Sequence, residues 1–190
     1  PSEVQRVINE LTESKMNWKE LIRSSVESSV KSDYSWMRPS RKNWHMSSVL
    51  PGMTPDEEIN ICIGIDTSGS ISQNTLTDFM SEVHGIMEQF ENYTIHIWQF
   101  DTNVYGYDTF THEDDKDIRE YKITGGGGTD FEANWDFMKN NEIEPDQFIM
   151  FTDMMPWNSW GDPNYCETIF IAHSTKTIEA PFGRTVFYEE

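Results

Sequence analysis

The chain is poor in cysteine, in basic residues and in long apolar runs, and each shortage narrows what it does. Two cysteines, Cys62 and Cys166, in 190 residues cannot build a disulfide framework. Each lies in an apolar, β-rich run (59–65 and 166–171), where a thiol behaves as a small hydrophobe. That favours a reducing compartment, and a cytoplasmic protein is expected. Lys and Arg number 14 against 33 Asp and Glu, a formal charge of −19. Such a surface repels phosphate backbones, which speaks against general nucleic-acid binding; it suits a cation, a basic partner or solubility alone. No apolar stretch approaches the ~18 residues a membrane helix needs, and no signal peptide is visible. His-Glu-x-x-His, P-loop and nucleophile-elbow motifs are also missing, so catalysis has no specified chemistry in this chain.

The residues present are those of a folded α/β protein. Aromatics make up 13% of the chain, far too many for a disordered acidic chain. Val4, Val7, Ile8, Leu11, Trp18, Leu21 and Ile22 recur at three- and four-residue spacings, which predicts a helical segment over 1–32. Pro39, the Pro51-Gly52 pair and Pro55 interrupt a polar stretch, so 33–58 reads as an extended connector. From Ile59 the pattern changes. A β-branched run at 59–65 is followed by helical spacing through Leu76, Phe79, Met80, Val83, Ile86, Met87 and Phe90, with Ser70 or Ser72 available as its cap. Strands are expected at 94–100, 147–152 and 168–172, with an edge strand at 185–188. The pieces 101–107 and 118–123 read as strands flanking an acidic turn, and a helix is expected over 130–140. This rhythm predicts one domain over 59–190, a mostly parallel sheet with helices on both faces.

In open parallel sheets, ligands gather outside the carboxyl ends of the strands. Three loops leave such ends here with oxygen donors: Asp66-Thr67-Ser68-Gly69-Ser70, the loop Gly125-Gly126-Gly127-Gly128-Thr129-Asp130, and Thr152-Asp153. Hydroxyls with a few carboxylates, and neither sulfur nor imidazole, suit Mg²⁺, Mn²⁺ or Ca²⁺ rather than zinc or copper. Too few charges surround such an ion to satisfy it, so water and an incoming acidic ligand are expected to complete its shell. The bland alternative is that these hydroxyls only cap the next helix. Asp130 is read first as a residue favourable to a helix N-terminus.

The Asp-x-Ser-x-Ser run, the later Thr and the strand-end Asp resemble the metal-ion-dependent adhesion site of von Willebrand factor A (VWA) and integrin I domains. The resemblance covers roughly residues 59–188. It implies a three-layer Rossmann-like VWA fold and a metal site of Asp66, Ser68, Ser70, Thr129 and Asp153, with a partner's carboxylate at the open position. Tyr34-Ser35-Trp36-Met37-Arg38-Pro39-Ser40-Arg41 and Leu50-Pro51-Gly52 further resemble the segment joining a metallopeptidase-like domain to a VWA-like domain in certain bacterial and phage proteins. Related VWA domains work beside AAA+ ATPases of the MoxR and metal-chelatase type, which implies an adaptor role with such an ATPase as partner. Many family members follow the strand-end Asp with Gly; here Met154 stands there.

Several residues keep two readings. Met154, Met155, Trp157 and Trp160, just past the metal loop, form either a partner-binding rim or a satellite core. His112-Glu113-Asp114-Asp115 with Asp117 lacks EF-hand spacing and reads as a solvated turn rather than a second cation site. His84 and His96 read as packed or surface histidines. Asp101 either supports the metal site from behind or shapes its own turn. The expected function is a metal-dependent module binding an acidic residue of a protein partner. The alternative is the C-terminal regulatory half of a peptidase whose catalytic helix is not in this chain.

Overall fold

The computed structural model describes residues 20, 23–24, 35–39, 51–52, 59–67, 73–88, 92–114, 116–124, 126–173 and 175–188. Of the expected N-terminal helix only Glu20, Arg23 and Ser24 fall among these, and all three are helical. Within the expected connector, strands β1 (Ser35–Pro39) and β2 (Pro51–Gly52) pair antiparallel with an irregular register.

Six strands build the main sheet: β3 (Ile59–Asp66), β4 (Tyr93–Phe100), β5 (Val104–Thr111), β6 (Gln147–Thr152), β7 (Glu167–Ala172) and β8 (Arg184–Phe187). Their order is β5-β4-β3-β6-β7-β8. Every pairing is parallel except β4 with β5. Central strands of a parallel sheet are covered on both faces and read as unbroken apolar runs; β3 and β6 do so, each buried along nearly its whole length.

One helix covers each face among the described residues. On one side, α1 (Gln73–Met87) places Leu76, Phe79, Met80 and Val83 in one buried cluster with Ile61, Ile63, Ile65, Ile149 and Phe151. On the other, α2 (Glu132–Asn140) sets Trp135 and Met138 among Cys62, Trp98, Phe148, Met150 and Phe170. The two clusters follow the two-residue alternation of side chains along a strand. A fully buried Ile, Leu or Phe contributes roughly 1.5–3 kcal/mol, so these faces dominate the stability of the domain. One polar link crosses the second face: Trp98 Nε1 donates to Asn134 Oδ1 at 2.6 Å, and Asn134 Nδ2 donates to the Phe131 carbonyl at 3.0 Å.

Two expected strand pieces differ. Residues 101–103 form a turn and β5 runs on to Thr111. Residues 118–123 are no strand: Ile118–Glu120 is a short 3-10 turn and the rest is irregular. The reason lies in Gln99, a polar residue in an apolar strand and 1% exposed. Its Nε2 donates to the Lys122 carbonyl at 2.8 Å and its Oε1 accepts the Thr124 N–H at 2.6 Å. A side chain thus supplies the backbone partners that a strand would have found in a ladder.

Candidate metal centre

The sheet order reverses direction between β3 and β6. From β3 the chain passes to β4 on one side, whereas β6 leads on to β7 and β8 on the other. Open α/β sheets bind ligands in the crevice at such a switch point. The register sets Ile65 beside Phe151, so the next residues, Asp66 and Thr152, meet at the carboxyl ends. Both are fully buried, and the Thr152 hydroxyl donates to Asp66 Oδ2 at 2.7 Å. An ionised carboxylate is costly to bury without donors or a cation around it. Thr152 supplies one such donor.

The loop after β6 is held from within. Met154 N–H donates to Thr152 Oγ1 at 3.1 Å and Met155 N–H to Asp153 Oδ1 at 3.0 Å. Met154 takes a left-handed φ of 67°, the conformation for which glycine is the usual residue. The residue that departs from the family's glycine thus stands in a conformation that glycine adopts without penalty. Trp157 N–H then donates to the Thr129 carbonyl at 3.0 Å, and Asp130 N–H to the Asp101 carbonyl at 2.7 Å. Thr129, 4% exposed, is thus stitched to the loops after β6 and β4. The glycines before it permit close approach: a Cβ on Gly128 would lie 2.2 Å from the Trp157 ring, and one on Gly127 would lie 2.7 Å from Asp101 Oδ2.

Asp66 at the end of β3, with Thr129 and Asp153 in two loops, accordingly lies at one end of the sheet, tied to the strand that ends just before Asp153. Ser68 and Ser70 lie outside the described residues, as does the helix cap expected at Ser70 or Ser72. Among the described residues no group of three or more His, Cys, Asp and Glu is suited to a metal. The oxygen types at this end, carboxylates and hydroxyls, are those that hard divalent cations take.

The four rim residues divide. Met154 is buried, 1% exposed, within the cluster under α2, because its left-handed turn directs the side chain inward. Trp160 is half-buried and packs edge-on against Phe131 and Phe170. Met155 and Trp157 are the exposed pair, at 60% and 66%.

Other candidates find ordinary partners. Asp130 Oδ1 accepts the Glu132 N–H at 3.1 Å at the start of α2. Asp101 Oδ1 accepts the Asn103 N–H at 3.1 Å and the Thr102 N–H, shaping its own turn. Asp114 receives the Thr111 N–H and hydroxyl, and Asp117 pairs with Arg119 at 2.6 Å, which draws its carboxyl down to about 2. Asp115 lies outside the described residues. His84 sits 3.8 Å from Glu88, and His96 Nδ1 lies 2.9 Å from the Tyr107 hydroxyl.

Three contributors were missed in the sequence. Thr67 bonds the Phe100 carbonyl through its N–H and its hydroxyl and also contacts the Tyr105 hydroxyl. Burial raises the Tyr105 phenol above its ordinary value; the Thr67 bond opposes this, and the charges of Asp101 and Asp66 add to it. His173 donates its N–H to the Thr152 carbonyl at 3.0 Å and stacks on Phe151. Burial lowers its imidazole, against the pull of Asp153. A Thr or His beside a strand end is too common a signal to single these out. A cleft of about 490 Å³ lies at the opposite end, around Cys166, Thr168, Phe182 and Arg184. Burial pushes the Cys166 thiol up to about 11, so it is not activated as a nucleophile.

A mostly parallel sheet covered on both faces, with loops converging at its switch point, defines a Rossmann-like α/β domain. The chain belongs to the family described as "VWA-like domain (DUF2201)", which matches residues 61–189, and residues 1–54 match "Putative metallopeptidase domain". An uncharacterized protein of Thermotoga maritima is 30% identical over 156 residues, covering 80% of this chain and 37% of its own length. The chain thus spans less than two-fifths of that relative. Similar solved structures include the ArnB paralog VWA2 from Sulfolobus acidocaldarius, 20% identical with a TM-score of 0.46, covering 62% of this chain and 35% of that one. Another is an aerotolerance-related membrane protein from Bacteroides fragilis, 13% identical with a TM-score of 0.45, covering 60% and 67%. No helix among the described residues is long and apolar enough to cross a membrane.

Proposed function

We propose that the domain over 59–190 is a divalent-metal-dependent protein-binding module that recognises an acidic residue of its partner. The observation that carries this reading is Asp66: a carboxylate with no exposed surface, at the switch point of the sheet, bonded to Thr152. Asp66, Ser68, Ser70, Thr129 and Asp153 would hold the ion, Mg²⁺ or in its place Mn²⁺ or Ca²⁺. When bound, the ion supplies a positive centre with an open position for a carboxylate. Around it the chain's own residues set the geometry. Thr152 orients Asp66, and the loop from Met154 to Trp157 braces Thr129. Met155 and Trp157 offer an apolar edge to whatever docks. An AAA+ ATPase of the MoxR or chelatase class is the partner we propose, and the cytoplasm the compartment.

The test is calorimetric titration of Mg²⁺ and Mn²⁺ into the wild type and into Asp66→Ala with Ser68→Ala. Saturable binding by the wild type and none by the double variant is expected. Equal heats from both would sink the assignment.

The match of residues 1–54 to a metallopeptidase domain favours a second reading, in which this is the regulatory or substrate-binding half of a metal-dependent peptidase. A His-Glu-x-x-His helix is absent from this chain, so this reading needs one elsewhere in the full gene product. Peptide cleavage by that product, lost on changing the helix glutamate, would support it. An inactive product that binds the ATPase only with Mg²⁺ would support the adaptor.

A further inference from the structure

A second cleft, of about 330 Å³, lies between the end of α1 and the end of β5, where β4 begins. Ile95, Phe110 and Ile118 form its floor, each at most 6% exposed, while Glu88 and Asp114 stand exposed at its rim. Tyr93 also lines it and is 8% exposed, yet its hydroxyl meets no hydrogen-bond partner among the described residues. A phenol so deeply placed ordinarily finds one. Burial raises its ionisation above the ordinary value, and the charges of Glu88 and Asp114 raise it further. The field of both carboxylates therefore reaches the hydroxyl. Asp114 accepts the Thr111 N–H and hydroxyl on Oδ2 alone, which leaves the lone pairs of Oδ1 for another donor.

We propose that this cleft, independently of any metal, receives an arginine side chain carried by a basic segment of a partner protein. Small-ligand clefts run to roughly 300–1,000 Å³, so this one suits a single side chain better than a cofactor. An arginine stem covers apolar surface, while its planar head offers five donors and no acceptor. The cleft answers with acceptors: the Tyr93 hydroxyl oxygen and the carboxylates of Glu88 and Asp114. Aromatic rings also suit a flat guanidinium, and Phe110 already has the Lys116 ammonium 5.8 Å from its centroid. Lys116 is itself bonded to Asp108 at 2.8 Å, so its charge is balanced there. His84, 3.8 Å from Glu88, and His112, edge-on to Tyr93, are further polar walls. The chain's charge of −19 draws basic segments from a distance; the cleft fixes where one residue of such a segment sits.

An NMR titration of the whole isotope-labelled chain decides this, with N-acetyl-arginine amide, N-acetyl-citrulline amide and free arginine as probes. Citrulline keeps the shape of arginine and removes its charge. Capped arginine is expected to shift the amides of Tyr93, Phe110 and Thr111 saturably. Citrulline is expected to bind about tenfold more weakly, the worth of a hydrogen bond to a charged group. Tyr93→Phe, and separately Glu88→Gln with Asp114→Asn, are each expected to weaken capped arginine by about the same factor. Glu88→Gln alone, at an exposed position, serves should the paired variant not fold. Equal binding of arginine and citrulline would reduce the cleft to an apolar groove and overturn the proposal. So would affinities unchanged in the variants, or no shift at the three amides. Free arginine binding far more tightly than the capped form would overturn it too, since the ligand would then be a small molecule and not a partner's side chain.

Discussion

Met154 shows two residue-scale forces in opposition. A left-handed φ of 67° costs a non-glycine residue about 1–2 kcal/mol, while a buried Met side chain is worth about 2–5 kcal/mol over Ala. Packing outweighs strain, so Met154→Gly is expected to lose about 1–3 kcal/mol despite its easier backbone. Urea unfolding of the variant measures this; an unchanged or raised midpoint would show that the turn, and not the side chain, governs the loop. Family resemblance drew attention to the position, but nothing local in the sequence told whether the methionine faced solvent or core. Its direction follows from a φ that only the surrounding loops impose.

At the scale of elements, the segment after β5 is held by one strand's side chain and one phenol. Tyr121 donates to the Gly106 carbonyl at 2.6 Å and accepts from Gln99 Nε2 at 3.1 Å. Burial pushes its ionisation up to about 12, only partly opposed by the Gln99 bond. The neutral phenol is therefore favoured by folding. The sign follows: this contribution is complete below the ordinary tyrosine value near 10 and is lost as pH rises towards 12. Tyr121→Phe is expected to abolish the highest-pH phenol step in an absorbance titration and to flatten the fall of Tm with pH in that range. A titration with the same upper midpoint in the variant would assign that step to another tyrosine.

For the whole molecule, a charge of −19 means that any salt relieves some self-repulsion. A specific site is distinguished by its magnitude and its dependence on Asp66. At a hundred times its dissociation constant, Mg²⁺ stabilises a binding fold by about 2.7 kcal/mol. The wild type is thus expected to gain several degrees in Tm with Mg²⁺ beyond what NaCl of equal ionic strength confers, and Asp66→Ala to gain nothing extra. Equal gains in both proteins would reduce the effect to screening.

Local chemistry made much of the fold readable along the chain. The β-branched run at β3, the apolar runs at β6 and β7, the helical spacing of α1 and the glycines before Thr129 declare strand, helix and loop through periodicity and backbone freedom, which are properties of neighbours in sequence. Asp66, Thr129 and Asp153 stood out for the same reason, each at the end of a predictable element or beside a glycine run. The bond from Thr152 to Asp66 was not readable, because it joins residues 86 apart that meet only through the pairing of β3 with β6. Nor was the capture of 121–124 by Gln99, or the inward turn of Met154. These depend on which strands become neighbours and in what register, and a contact between distant segments leaves no local pattern in either of them.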